Sequence, residues 1–481
     1  MKTLTSILWA LPFVSFAQWS PLGNQIVGSD ASGNLGQSVS INGSGQIIAL
    51  GAPGQYDPNN LRTGQVEVYE LQANTWTLKG SVINGLNSGD RFGIETALSD
   101  NGDVLAIGAP GFVTQPSTAG YASVYAFDGT NWLKRGADLM GTTPDDSYGT
   151  SISLNADGSI VAVAAEPFIS ASYIRVFQWD GTVWNQLGTD ITTGLAGDGF
   201  GRWIDLSSDG MTLIASAVNH DLPLKDNGRA MVYEYNGVNW VQKGSDLIGD
   251  GRDDFFGAGL AIGNNGSTIV VGARDDVFNM SKGYVKVFDW SGSNWIQKGS
   301  TLFGSAGGDF FGNVNDINSA GDIIISGSVL GNYAKVHQFQ ASAWVLLDSI
   351  SISGGIQFGT SVGLNSAGDK AIIGDFSHLA NGVNRAGLAA VFENNALSLD
   401  KLAPEFKLHV FPNPAANFIK VESDLELESY RITSLNGTTV KAGFAANQSD
   451  FTIDLGEVKP GLYIVEFVSG LGIKRQTLLK D

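Results

Sequence analysis

Five aspartates recur at one spacing. Asp90, Asp146, Asp198, Asp254 and Asp309 each stand two residues before a Phe or Tyr that is followed by glycine. Carboxylates repeated at one position would form an arc on one rim of a repeat protein, able to hold a cation or a basic or hydroxyl-rich ligand. The same spacing suits a turn in which each Asp accepts hydrogen bonds from its own backbone, repeated because the turn repeats. Asp275 and Asp276, in a connection of variable length, join the five as candidate ligand-binding residues. A second set, Glu95, Asp205, Asp316, Asp275 and Asp276, could pair for glycoside cleavage, which needs two carboxyl groups at a set separation. A repeat frame does not give that separation.

Other chemistry is sparse. His220 and His378 fall in connections of variable length, His337 occupies a slot that Tyr or Phe fills elsewhere, and His409 lies in the C-terminal region. No His-Glu-x-x-His, Gly-x-Ser-x-Gly or phosphate-binding glycine loop is present. The absence of cysteine excludes disulfides, thiolate metal sites and a cysteine nucleophile. A formal charge of -19 argues against nucleic acid, whose phosphates need a basic face. No cofactor is expected, and calcium at the repeated acids is the only metal that the residues suggest.

The elements that must position these residues are repeats. Gly36, Gly93, Gly149, Gly201, Gly257, Gly312 and Gly359 share one frame. Nine residues on, a second glycine recurs in every copy; fifteen residues on stands Gly, Ala or Ser, from Gly51 to Gly374. A tryptophan precedes each frame glycine, from Trp19 to Trp344. A period of about 50 residues with several short strands per unit points to a propeller.

Each unit reads as four strands. The first alternates after the frame glycine, as in Ile152 and Leu154. Asn-Gly, Asp-Gly or Ala-Gly then supplies a tight turn. The second is a continuous apolar run, such as Ile269-Val270-Val271, buried on both faces. The third carries a Val followed by an aromatic, and the fourth begins at the tryptophan. The seventh unit lacks its own tryptophan strand, while Trp19-Ser20-Pro21-Leu22-Gly23 copies Trp240-Val241-Gln242-Lys243-Gly244 at the other end of the chain. An N-terminal strand should therefore complete the seventh blade and cover its edge. The expected fold is all-β: a seven-bladed β-propeller closed by an N-terminal strand, with a small C-terminal β-sandwich.

Three segments follow. Residues 1–17, with Lys2, an apolar stretch and Ser15-Phe16-Ala17, read as a secretory signal peptide. Residues 18–402 form the propeller, and 403–481 a separate β-domain whose alternating strands are broken by Asn436-Gly437 and Pro460-Gly461. No later apolar run is long enough to be a transmembrane segment.

In the last segment, Phe411-Pro412-Asn413-Pro414-Ala415, Ser434-Leu435-Asn436-Gly437, Pro460-Gly461-Leu462-Tyr463 and the terminal Lys474-Arg475-Gln476-Thr477-Leu478-Leu479-Lys480 resemble the type A C-terminal sorting domain of type IX secretion substrates. The resemblance implies a Gram-negative Bacteroidota host, passage through the periplasm and export across the outer membrane by the type IX machinery. On it, Pro412, Asn413, Pro414, Gly461, Tyr463, Lys474 and Lys480 are the sorting motif. The propeller's Phe-Gly openings and its Gly-Ala-Pro at 51–53 and 108–110 resemble FG-GAP repeats, the blades of integrin α-subunit heads. Calcium-binding members carry an Asp-rich loop between first and second strands. Here that connection is a short turn such as Ser99-Asp100-Asn101-Gly102, with too few oxygens for a six- to eight-coordinate ion.

Length variation falls in the connection between second and third strands, on the same face as the repeated acids. Variable loops on a rigid scaffold commonly carry recognition; drift in unconstrained turns gives the same pattern. The expected function is a secreted or surface-displayed, non-enzymatic adhesion or ligand-binding module with a glycan or protein ligand on that loop face. The alternatives are a propeller glycoside hydrolase or lyase using loop carboxylates and a structural surface or biofilm component.

Overall fold

A computed structural model describes residues 19–481, apart from 60, 112–118, 145, 168–169, 275–281, 381, 395–407, 435–438 and 470–471. The chain forms two compact units, Met1–Asn394 and Asn395–Asp481. The expected boundary at 402/403 and the signal segment lie outside the described residues, as do Asp275 and Asp276.

The first unit is a ring of seven antiparallel sheets, each with a path of four strands from axis to rim, and in five of them a further two-residue strand pairs with the third. Blade 3 is typical, with strands Ser151–Leu154, Ile160–Ala165, Tyr173–Trp179 and Trp184–Gln186 running from axis to rim. Every second strand is buried along its whole length, because the faces of neighbouring blades cover both of its sides. The seventh blade takes its outer strand from Trp19–Pro21, which pairs antiparallel with Leu388–Asn394 in the register Trp19 to Asn394 and Pro21 to Phe392. Ile26–Val27 extends the same edge against Ala389 and Leu388.

Three sets of contacts join the blades, and each explains a repeated residue type. Near the axis, the small residue fifteen positions after the frame glycine faces the backbone of the next blade. A Cβ on Gly108 would stand 2.1 Å from the Gly149 carbonyl oxygen. The aromatic before the frame glycine is almost wholly buried, as Phe92, Tyr148, Phe200, Phe256, Phe311 and Phe358 show. At the rim, the outer-strand tryptophan donates its indole N–H to the preceding blade's outer strand: Trp132 to the Lys79 carbonyl (2.9 Å), Trp184 to Arg135 (2.7 Å), Trp295 to Lys243 (2.8 Å). Trp76, Trp240 and Trp344 repeat the bond with Leu22, Leu187 and Lys298. Trp19 differs, since its buried indole nitrogen has no partner among the described residues.

The third set girdles the axis at the turns between first and second strands. Gly43 N–H donates to the Asp100 carbonyl, Asp100 to Ala156, Ala156 to Ser208, and Ser208 to Asn264; Ser319 donates to Ser366, and Ser366 to Gly43. All seven residues occupy one position of the repeat. The remaining link is made by side chains, with Asn264 Nδ2 donating to Ser319 Oγ at 2.6 Å.

The C-terminal unit is one five-stranded antiparallel sheet folded around its own core of Ile419, Val421, Ile432, Ile453, Val465, Phe467 and neighbours. The alternating residues expected before Asn436-Gly437 form one long strand, Phe418–Ser434, and its partner Thr439–Asp454 is equally extended. A register shift between Glu422 and Leu427 bends the pair. The first half of the long strand pairs with Leu408–Phe411 and the second half with Gly461–Ser469, so one hairpin serves both layers of a sandwich.

Candidate functional site

The first strands of all seven blades surround an axial cavity of about 1040 Å³. Its side chains come from alternate positions of those strands, two and four residues after the frame glycine. At the fourth position, in four of the seven blades, the side chain accepts a hydrogen bond from the next blade's edge N–H. Ser40 Oγ takes Leu98 N–H (2.9 Å), Ser153 Oγ takes Leu206 N–H (3.0 Å), Asp205 Oδ2 takes Ile262 N–H (2.9 Å) and Asp316 Oδ2 takes Leu364 N–H (2.6 Å). Innermost strands have an unpaired edge, and these acceptors satisfy it. Asp205 accepts two further bonds, from Ser153 Oγ (2.8 Å) and Leu206 N–H (2.9 Å).

The second position is serine in three blades, each hydrogen-bonded to a neighbouring backbone. Ser38 Oγ donates to the Gly93 carbonyl, Ser361 Oγ donates to Gly36, and Ser151 Oγ accepts Ile204 N–H. In the second blade this position is Glu95. Its carboxyl is pushed up to about 8 by burial and then by the charge of Asp205. Burial raises Asp316 to about 7 and Asp205 to about 6, the latter opposed by its hydrogen bonds. All three are half-buried, because the cavity admits water while the protein walls limit solvation.

Thus Glu95, Asp205 and Asp316, noted in the sequence as carboxylates that could pair, converge on one cavity: Asp205 and Asp316 from the inner strands of the fourth and sixth blades, and Glu95 from the residue just before the inner strand of the second. No set of three or more His, Cys, Asp or Glu close enough to hold a metal ion occurs among the described residues.

The repeated aspartates sit elsewhere. Asp90, Asp146, Asp198, Asp254 and Asp309 are buried at the links between blades. Asp90 Oδ2 accepts Leu86 N–H (3.1 Å), Asn87 N–H (2.8 Å) and the Tyr121 hydroxyl (2.7 Å). Asp309 repeats this with Ser305, Ala306 and Tyr333, and Asp146 with Thr142, Thr143 and Tyr173. Asp254 accepts Gly251 N–H and the Tyr284 hydroxyl. Asp198 accepts Phe200 N–H and the Thr193 hydroxyl, with Arg229 at 3.5 Å. In each case the carboxylate closes its own turn, and in four of them it also ties that turn to a third-strand tyrosine. The tyrosine partnership escaped the sequence reading, although Tyr121, Tyr173, Tyr284 and Tyr333 share a place in the repeat.

These turns shape the mouth of the cavity. The residue after each repeated Asp takes a left-handed conformation in Arg91 (φ 55), Ser147 (φ 49), Phe255 (φ 52) and Phe310 (φ 56). Arg91, Ser147 and Phe310 line the mouth with Arg202, Arg274 and Glu166. Arg202 pairs with Glu166 at 3.1 Å, and the Arg274 guanidinium lies 4.7 Å from the Phe255 ring centre. His337 packs in the third strand of its blade, and burial depresses its imidazole to about 4.

In the C-terminal unit, Asn413 clamps the final strand, donating to the Thr477 carbonyl (2.8 Å) and accepting Leu479 N–H (2.9 Å). Pro412 and Pro414 flank it. Tyr463, two residues after Gly461, donates its hydroxyl to the Lys459 carbonyl at 2.8 Å. Lys474 stands opposite Phe467 in the last strand pair, and Lys480 is buried opposite Gly461.

Residues 409–480 match the family described as a secretion system C-terminal sorting domain. A search of curated proteins returns no match. Among solved structures, Kuenenia stuttgartiensis hydrazine synthase aligns at 13% identity and TM-score 0.48, covering 72% of this chain and 94% of that one. A functionally unknown protein from Desulfotomaculum acetoxidans aligns at 10% identity and TM-score 0.45, covering 81% and 95%. No helix among the described residues is long and apolar enough to cross a membrane. The chain is a seven-bladed propeller with a type IX sorting tail, which makes it a secreted or cell-surface protein.

Proposed function

We propose that the propeller is a non-enzymatic adhesion or ligand-binding module that holds a glycan or protein ligand at the loop-face mouth of the axial cavity. One observation carries this reading. The position after each repeated Asp keeps a left-handed backbone while its side chain changes from Arg91 to Ser147 to Phe310. A non-glycine residue there costs about 1 kcal/mol or more. A fixed backbone with changing side chains at a cavity mouth is what a recognition surface requires. The FG-GAP-like openings of the repeats support the adhesion sense.

The test is capture of the exported full chain on arrays of glycans and of surface proteins, beside a variant carrying Arg91→Ala, Arg202→Ala and Phe310→Ala. Selective retention that the variant loses is the expected result. Equal retention, or none on either array, would remove the reading.

One observation favours a second reading, glycoside cleavage. Glu95 and Asp205 are carboxyl groups in one cavity with unequal environments, the pattern that separates an acid from a base. Release of reducing sugar by the wild type and its loss in Glu95→Gln would favour this reading over binding alone.

A further inference from the structure

The cavity interior has an uneven supply of hydrogen-bonding groups. The Glu95 carboxylate has no hydrogen-bond donor among the described residues, whereas the serines at its repeat position all engage backbone. Asn315 adds no open acceptor: its Nδ2 donates to the carbonyls of Gly259 (3.0 Å) and Gly312 (3.1 Å), and its Oδ1 is buried out of reach of the cavity. An acceptor in a partly desolvated space without a donor is destabilising unless something supplies one.

Charge is uneven in the same sense. Glu95, Asp205 and Asp316 face the cavity, and no Lys or His lines it among the described residues. The arginines belong to the mouth, where Arg202 is already paired with Glu166. The ligand that completes this interior is therefore a cation rich in donors. A bare metal ion does not suit it, because no three acidic side chains come close enough to coordinate one, and the volume of about 1040 Å³ far exceeds an ion's needs.

We propose that the axial cavity binds a small organic cation through a primary ammonium or guanidinium group seated on Glu95, with Asp205 and Asp316 supplying the surrounding negative charge. The proposal deepens the reading of the cavity as the ligand site. Asp205 and Asp316 hold neighbouring blades together as well, whereas nothing in the blade contacts requires Glu95. The cation displaces the proton that burial holds on Glu95, and the group seated there then makes a charge-assisted hydrogen bond inside a partly desolvated space, where such a bond is worth more than at a surface.

The experiment is isothermal titration of the exported full chain with agmatine and spermidine, with sorbitol and calcium chloride as controls, on wild type, Glu95→Gln and Glu95→Ser. Serine is the residue that blades 1, 3 and 7 place at this position, so Glu95→Ser should fold. Saturable binding of an amine, at least tenfold weaker in both variants, is expected, since loss of a charged hydrogen-bond partner changes affinity by about that factor or more. Absence of saturable amine binding, equal affinity in the variants, or equal response to sorbitol or calcium would overturn the proposal. Array capture of the same variants reads the loop-face function separately: amine binding can fail while capture persists.

Discussion

A Cβ added to Gly51 would stand 2.0 Å from the carbonyl oxygen of Gly93 in the next blade. The same approach recurs between Gly272 and Gly312 at 1.9 Å and between Gly374 and Gly36 at 2.2 Å, the last across the join between the seventh blade and the first. These contacts set blade spacing at the axis. Gly272→Ala should therefore destabilise the propeller by about 2–3 kcal/mol, since backbone oxygen cannot move aside as a side chain can. Ala164→Gly, at the equivalent position, should cost only about 1 kcal/mol. Calorimetric melting of both variants tests the contrast, and similar losses would count against it.

The rim bonds give an independent test at the closure. Trp132→Phe removes an indole N–H bonded to the Lys79 carbonyl and should cost about 1 kcal/mol, whereas Trp19→Phe removes a donor with no partner and should cost less. Deleting residues 18–28 is a stronger change, because it leaves Leu388–Asn394 as an open edge. A lowered melting temperature is expected, and an unchanged transition would refute closure by the N-terminal strand.

Stability should fall as pH rises from about 6.5 to 8. Glu95 has a folded value of about 8 against an ordinary 4.5, so in this window the folded chain retains a proton that the unfolded chain has lost. The unfolded state then gains relative to the folded one until Glu95 ionises. Asp316, at about 7, adds to the lower part of the window. His337 is depressed to about 4 and acts in the opposite sense, but only below its ordinary 6.5, so it does not enter. The groups facing Glu95 are Asp205 and Asp316 within the cavity and the arginines at its mouth. Melting temperatures of wild type and Glu95→Gln between pH 6.5 and 8 are the check; parallel curves would mean that Glu95 does not carry the dependence.

Calcium should not stabilise the propeller through the repeated aspartates, whose carboxylates already accept backbone N–H groups and tyrosine hydroxyls. A flat calorimetric titration is expected, together with a loss of about 1–3 kcal/mol in Asp90→Ala from unsatisfied turn donors. A saturable calcium shift removed by Asn at all five positions would restore the cation reading.

Deleting residues 403–481 should leave the propeller folded and held in the periplasm, because each unit has its own core. Within the tail, Asn413→Ala should loosen the final strand by removing both clamping bonds. Fractionation of the host reads both, and normal surface display of the truncated chain would contradict a sorting role.

The sequence by itself determined the number of blades, the closing strand and the sorting tail. Each depends on a residue type that geometry demands at a fixed spacing: glycine where a neighbouring backbone approaches, an aromatic where blades wedge together, tryptophan where the rim is pinned. It also marked Glu95, Asp205 and Asp316 as carboxylates that could pair. What they do depended on the tertiary structure, because the ring brings together side chains more than 100 residues apart in the sequence. Only there does Asp205 become a bridge between blades while Glu95 is left without a donor. The tail's two long strands were likewise hidden, since a register shift divides the alternation of Phe418–Ser434 into what reads as two separate strands.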